Sequence, residues 1–267
     1  MQRKNAYYKD CAIHYKVFGK GRPVVLLHGF AEDGDVWHYQ VNFLKDYYQL
    51  IVPDIPGSGR STLWQNDISM DTLAESIKAI LDAEQITSCT IIGHSLGGYI
   101  TLAMAEKYPA LLNGFGLFHS SAFADSEEKK QARLKSIEFI KKNGSLAFVK
   151  STTPGLFAGQ FTKNHLKEIN SLADNGKNFV EEVLIRYYEA MINRPDRTAV
   201  LSNFSKPILF IMGEHDKAVP LDISLKQCYL PSISYIFILK NSAHMGMWEE
   251  KGTANMILLD FLKAVTI

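Results

Sequence analysis

A chain of 267 residues, 46% hydrophobic and 21% charged, can bury a sizeable core and has the composition of a soluble globular protein. Its formal net charge of +1 leaves no electrostatic reason to expect nucleic acid or an anionic membrane as a partner. No run approaches ~18 uninterrupted apolar residues, the N-terminal MQRKNAYYKDCAIHYKVFGKG lacks the apolar centre of a secretory leader, and Cys11, Cys89 and Cys228 lack the spacing of a disulfide framework or zinc site, which fits a reducing cytoplasm.

After a hairpin-like N-terminal stretch, PVVLLHG (Pro23–Gly29) reads as a buried strand, followed by a helix around Val36–Tyr47. YQLIVPDIPG (Tyr48–Gly57) is the next strand, Met70–Glu84 an amphipathic helix, and CTIIG a third strand rich in β-branched residues. A helix then runs from Leu96 to the terminating Pro109. Further strands are LLNGFGLFHS (Leu111–Ser120), PILFIMG (Pro207–Gly213) and SYIFILK (Ser234–Lys240), and a last helix covers Glu249–Val265. Fully apolar strands alternating with helices predict a parallel sheet covered on both faces, with ligands at the carboxyl ends of the strands.

The alternation breaks over residues 122–205. This stretch is helix-like, from ADSEEKKQARLKSIEFIKKNG to VEEVLIRYYEAMIN, and reads as a helical insertion over the strand ends, between core segments 1–121 and 206–267. Its charge run reads as a solvated helix face. No internal repeat or low-complexity segment is present.

IIGHSLGGYI (Ile91–Ile100) places a serine among three glycines between strand and helix. It lacks the Gly-Lys-Ser/Thr ending of a phosphate loop and the Gly-x-Gly-x-x-Gly of a dinucleotide site. What remains is a nucleophile elbow, in which Gly93 and Gly97 let the turn close and expose the Ser95 hydroxyl. Such a hydroxyl needs a base, usually histidine, itself oriented by a carboxylate. Of eight histidines, His14, His38 and His165 fall on predicted surface elements. His28 precedes the turn glycine Gly29 and His94 lies between Gly93 and Ser95 on the elbow, where they can pack beside the site without facing the hydroxyl. His119 ends a strand and can line the pocket, and His215 directly precedes the best acid candidate, Asp216, and is expected to point away from it. His244, in NSAHMGMWEE after the last strand, is the candidate base. The acid candidate is Asp216 in ILFIMGEHDKAVP, with Glu214 as an alternative in the same loop and Asp125 if the acid follows the preceding strand; Asp54 organises its own turn.

Through LLHGF, VPDIPGSGRS, IIGHSLGG, ILFIMGEHD and NSAH, in the order Ser–Asp–His, the sequence resembles the α/β-hydrolases over almost its whole length. The resemblance implies a mostly parallel eight-stranded sheet with helices on both faces, and it makes residues 122–205 the counterpart of the family's cap. Within it, AMINRPDRTAVLSNFSKPILFIMGEHD is similar to small enol-lactonase and carboxylesterase members. The resemblance also implies an oxyanion hole from the backbone N–H groups of Phe30 and Leu96, an acyl-enzyme on Ser95, and neither metal nor cofactor. Aspartate-nucleophile relatives such as epoxide hydrolases are disfavoured because position 95 is serine, and several relatives carry proline where this chain has Ala31. The expected partner is a small-molecule acyl substrate, with no nucleic acid and no membrane; the oligomeric state is not legible. The leading expectation is hydrolysis of a small or medium carboxylic ester. A thioester, lactone or carbon–carbon bond stays open, as does a receptor built on the hydrolase pocket. The loop STTPGLFAGQF, with Leu156 and Phe157, is expected to wall the acyl pocket.

Overall fold

The structure is a computed structural model describing residues 1–63 and 68–265. Eight strands form one sheet: β1 (Gln2–Tyr8), β2 (Cys11–Phe18), β3 (Pro23–Leu27), β4 (Gln49–Pro53), β5 (Cys89–His94), β6 (Leu112–Phe118), β7 (Ile208–Gly213) and β8 (Ser234–Leu239). Their spatial order is β1-β2-β4-β3-β5-β6-β7-β8. β2 is antiparallel to both β1 and β4, and every pairing from β4 through β8 is parallel.

Between strands lie α1 (His38–Leu44), α2 (Met70–Ala83) and α3 (Leu96–Lys107). The residues between β6 and β7 carry α4 (Glu127–Thr152), α5 (Gly159–Asn164), α6 (Leu166–Asp174), α7 (Glu181–Ile192) and α8 (Thr198–Asn203), and no described residue among them is in a strand. α9 (Leu221–Leu225) follows β7, and α10 (Gly246–Glu249) and α11 (Lys251–Ala264) follow β8. α4 bends at Gly144, whose φ of 84° interrupts the helical path. No helix among the described residues is long and apolar enough to cross a membrane.

The unbroken apolar strands are explained by burial on both sides. In β3, Val25 and Leu27 join the core under α2 and α3, while Val24 and Leu26 join the core under α1 and α11. Alternate side chains therefore enter opposite layers, and a polar residue has no solvated face to occupy. β4 and β5 flank β3 on opposite sides, so the loops that leave the carboxyl ends of β3 and β5 part there and open a crevice. One expectation is corrected: His14 is not a surface residue but is 7% exposed within β2, its Nδ1 3.0 Å from Asn5 Oδ1.

Candidate active site

Ser95 joins β5 to α3 with φ 50° and ψ −113°, a conformation that costs a non-glycine residue about 1–3 kcal/mol. The neighbours hold it there. Ser95 N–H donates to the Phe118 carbonyl at 3.0 Å, and the Ser95 carbonyl accepts from Ser120 Oγ at 2.7 Å. The glycines are required by close approach: a Cβ at Gly93 would lie 2.3 Å from the Gly97 carbonyl oxygen, and one at Gly97 would lie 2.5 Å from that of Leu27. Of the expected oxyanion donors, Leu96 follows the serine in the chain and Phe30 lines the same cavity as Ser95. Neither the Phe30 nor the Leu96 N–H has an acceptor among the described residues.

His244 and Ser95 line one cavity of about 350 Å³ with Phe30, Tyr99, Leu156 and Tyr188. The loop after β8 carries His244, whose Nδ1 lies 2.8 Å from Asp216 Oδ2. Asp216 Oδ1 accepts from the N–H groups of Ala218 and Val219 at 2.8 and 2.9 Å. Burial opposes ionisation of Asp216, yet His244 and His119 hold its carboxyl well below the usual carboxylate range. An ionised Asp216 draws the neutral imidazole proton to Nδ1 and leaves Nε2 free to accept one. Of the other acids, Asp125 is buried but tied to Arg133 and Arg194, and Glu214 is exposed. Asp54 accepts from the N–H groups of Gly34 and Arg60, organising its turn as expected.

His119 is not in the lining of this cavity; it packs against Asp216. Its Nε2 accepts from Gly246 N–H at 3.2 Å, so Nδ1 carries the proton and faces Asp216 Oδ2 at 3.3 Å. Burial holds the imidazole down to about 4, below its ordinary value, which keeps it neutral near pH 7. His119, Asp216 and His244 thus bring one potential ligand atom each within 4.8 Å of one another. Both Nδ1 protons face the carboxylate, so the cluster is arranged to hold protons rather than a cation. The signal for this role was its place at the end of the strand next to β7, a neighbour separated from it by the whole insertion.

A second buried pair joins the loops. Glu32 Oε2 accepts from Gly29 N–H at 2.6 Å and lies 3.0 Å from His94 Nδ1, while His94 Nε2 donates to the His244 carbonyl at 2.9 Å. Burial works against both charges, but mutual attraction lowers the Glu32 pKa and raises that of His94. His94 donates from both nitrogens, as an imidazolium does. The elbow is thereby tied to the β3 loop and the His244 loop at once. Glu249 adds a clamp, accepting from Ala243, Met245 and Ala158 N–H groups.

The segment between β6 and β7 meets the site at three places, α4, Leu156 and, through Tyr188 and Met191, α7. Leu156 lines the cavity, and its carbonyl accepts from His244 N–H at 2.9 Å. Phe157, expected beside it, packs elsewhere: it stacks on Phe161 with ring centres 5.4 Å apart and meets Trp248. The charge run that opens α4 is not wholly solvated either, because Lys129 and Arg133 line the cavity that holds Ser95.

A family model described as the alpha/beta hydrolase fold matches residues 22–138. A 2-hydroxy-6-oxononadienedioate/2-hydroxy-6-oxononatrienedioate hydrolase of Paraburkholderia phymatum is 27% identical, the match covering 95% of this chain and 91% of that one. A thermophilic esterase of Thermogutta terrifontis superposes with a TM-score of 0.93 at 25% identity, covering 100% of each chain. The enol-lactonase of Burkholderia xenovorans LB400 shares the fold, with a TM-score of 0.90 at 19% identity over 97% of this chain and 100% of the other. The chain has the α/β-hydrolase fold.

Proposed function

We propose that the chain is a serine hydrolase that cleaves small or medium carboxylic esters through an acyl-enzyme on Ser95. The observation that carries this reading is Ser95 on its strained elbow, sharing one cavity with a histidine whose Nδ1 is held by Asp216 at 2.8 Å. As Ser95 Oγ bonds to the carbonyl carbon, its proton passes to His244 Nε2, and the oxyanion is met by the Phe30 and Leu96 N–H groups. Collapse breaks the bond to the alcohol oxygen, which takes that proton. Water, deprotonated by the same imidazole, then releases the acid. Residues 122–205 act as the cap over a core of 1–121 and 206–267, and none of these steps draws on a metal or cofactor.

A second reading keeps the same residues and breaks a carbon–carbon bond; it is supported by the relative from Paraburkholderia phymatum, which is named for hydrolysis of 2-hydroxy-6-oxo-dienedioates. A fluorophosphonate probe should label Ser95 in the native protein, and Ser95→Ala should lower kcat by about four to six orders of magnitude with the fold intact. Labelling of another residue with loss of activity overturns the assignment. Turnover of p-nitrophenyl esters of increasing chain length, against turnover of a vinylogous 1,5-diketone acid, separates the two readings.

A further inference from the structure

We propose that the Ser95 cavity takes a substrate bearing a carboxylate remote from the reacting carbonyl, and that Lys129, Arg133 and Lys217 hold that carboxylate. The proposal deepens the reading of this cavity as the substrate site.

All three cations line the cavity that holds Ser95 and His244. They come from two elements, Lys129 and Arg133 from one face of α4 and Lys217 from the residue after the acid Asp216. Their charge is poorly compensated. Arg133 gives Nε and Nη2 to Asp125, but that carboxylate is shared with Arg194, whose Nη1 lies 2.9 Å from Asp125 Oδ1. Lys129 Nζ donates to an uncharged group, the Ala218 carbonyl at 2.9 Å. Lys217 is exposed at the rim and makes no ion pair among the described residues. Glu32, the carboxylate in the same lining, is committed to His94.

The phenol of Tyr99 reports the resulting field from inside the cavity. Its burial would push its pKa up, but Arg194, Lys129 and Arg133 together outweigh burial and bring it below the ordinary value. Arg194, the largest of these contributions, lies outside the cavity lining, but Lys129 and Arg133 belong to it, and they favour a carboxylate for the same Coulombic reason that they favour a phenolate. The guanidinium of Arg133 adds geometry to charge: its Nη1 has no hydrogen-bond partner among the described residues and can complete a planar contact with a carboxylate. The lining also offers Phe30, Leu156, Tyr188 and Met191, whose apolar and aromatic surfaces suit the carbon chain between the two ends.

The test uses binding and turnover together. Calorimetric titration of full-length Ser95→Ala protein compares adipate with its neutral counterpart adipamide. Adipate should bind at least about tenfold more tightly, with the advantage shrinking as salt is raised. Lys129→Met and Lys217→Met, made in the same background, should each cut the adipate-to-adipamide ratio severalfold. In protein with Ser95 intact, kcat/KM for the p-nitrophenyl half-ester of adipic acid should exceed that for p-nitrophenyl hexanoate, and both lysine substitutions should lower this ratio. Equal affinity for adipate and adipamide, no measurable binding of either, or a preference untouched by both substitutions overturns the proposal. Selective adipate binding in a protein that turns over neither ester and is not labelled at Ser95 would overturn the hydrolase reading and leave the carboxylate subsite standing.

Discussion

His119 allows a quantitative test of how the acid is supported. Burial holds its imidazole at about 4 instead of the ordinary 6.5. Between those values the unfolded chain binds a proton that the folded protein excludes, so stability falls as pH drops from about 6.5 to about 4. The displacement corresponds to about 3 kcal/mol. His119→Asn places an amide near the position of Nδ1, within reach of Asp216, and has nothing to titrate. Its stability relative to the wild type should therefore rise by about 3 kcal/mol on going from pH 7 to pH 4. Urea unfolding followed by the fluorescence of the fully buried Trp37 at a series of pH values gives both curves. The difference between proteins is the quantity to read, because burial pushes the Glu249 carboxyl up to about 7 and makes it titrate in the opposite sense over part of the same range. His119→Leu, which removes the donor, should also shift the acid limb of the kcat/KM profile, whereas His119→Asn should restore it. A flat difference curve, together with unchanged profiles in both variants, would mean that His119 neither resists protonation nor acts on Asp216.

Asp216→Asn should lower kcat by roughly four orders of magnitude by favouring the wrong His244 tautomer. Asp125→Asn should instead lower the unfolding temperature, because it leaves Arg133 and Arg194 facing each other without their shared carboxylate; a reversal of these two outcomes would move the acid to the β6 loop. Leu156→Ala should change chain-length preference among p-nitrophenyl esters by about ten- to a hundredfold, as loss of apolar wall does. Phe157→Ala should lower the melting temperature and reduce kcat/KM evenly across substrates, because its ring packs on Phe161 and Trp248 outside the cavity. Gly97→Ala should destabilise the protein by about 1–3 kcal/mol or more and disable the elbow, since its Cβ would meet the Leu27 carbonyl oxygen at 2.5 Å. Wild-type stability and activity in that variant would refute the close-packing account.

Local chemistry in the chain was enough for the strands, the elbow and the order of its partners. Apolar runs such as PVVLL and ILFIM can be satisfied only between two covering layers, and the strained turn at Ser95 closes only with glycines at 93 and 97. His244 and Asp216 were legible because each follows a strand whose carboxyl end meets the others at one sheet edge. What the sequence could not carry was which side chains meet across long separations. His119 reaches Asp216 only because β6 and β7 are neighbours despite the helices between them. His94 bridges Glu32 and the His244 carbonyl through two loops that no local pattern relates. Lys129 and Arg133 looked like part of a solvated charge run because helical periodicity specifies a face of α4, not what that face meets. Only the tertiary path of the segment between β6 and β7 brings that face to the cavity that holds Ser95, and charge that would cost little in water becomes a determinant of what the cavity can hold.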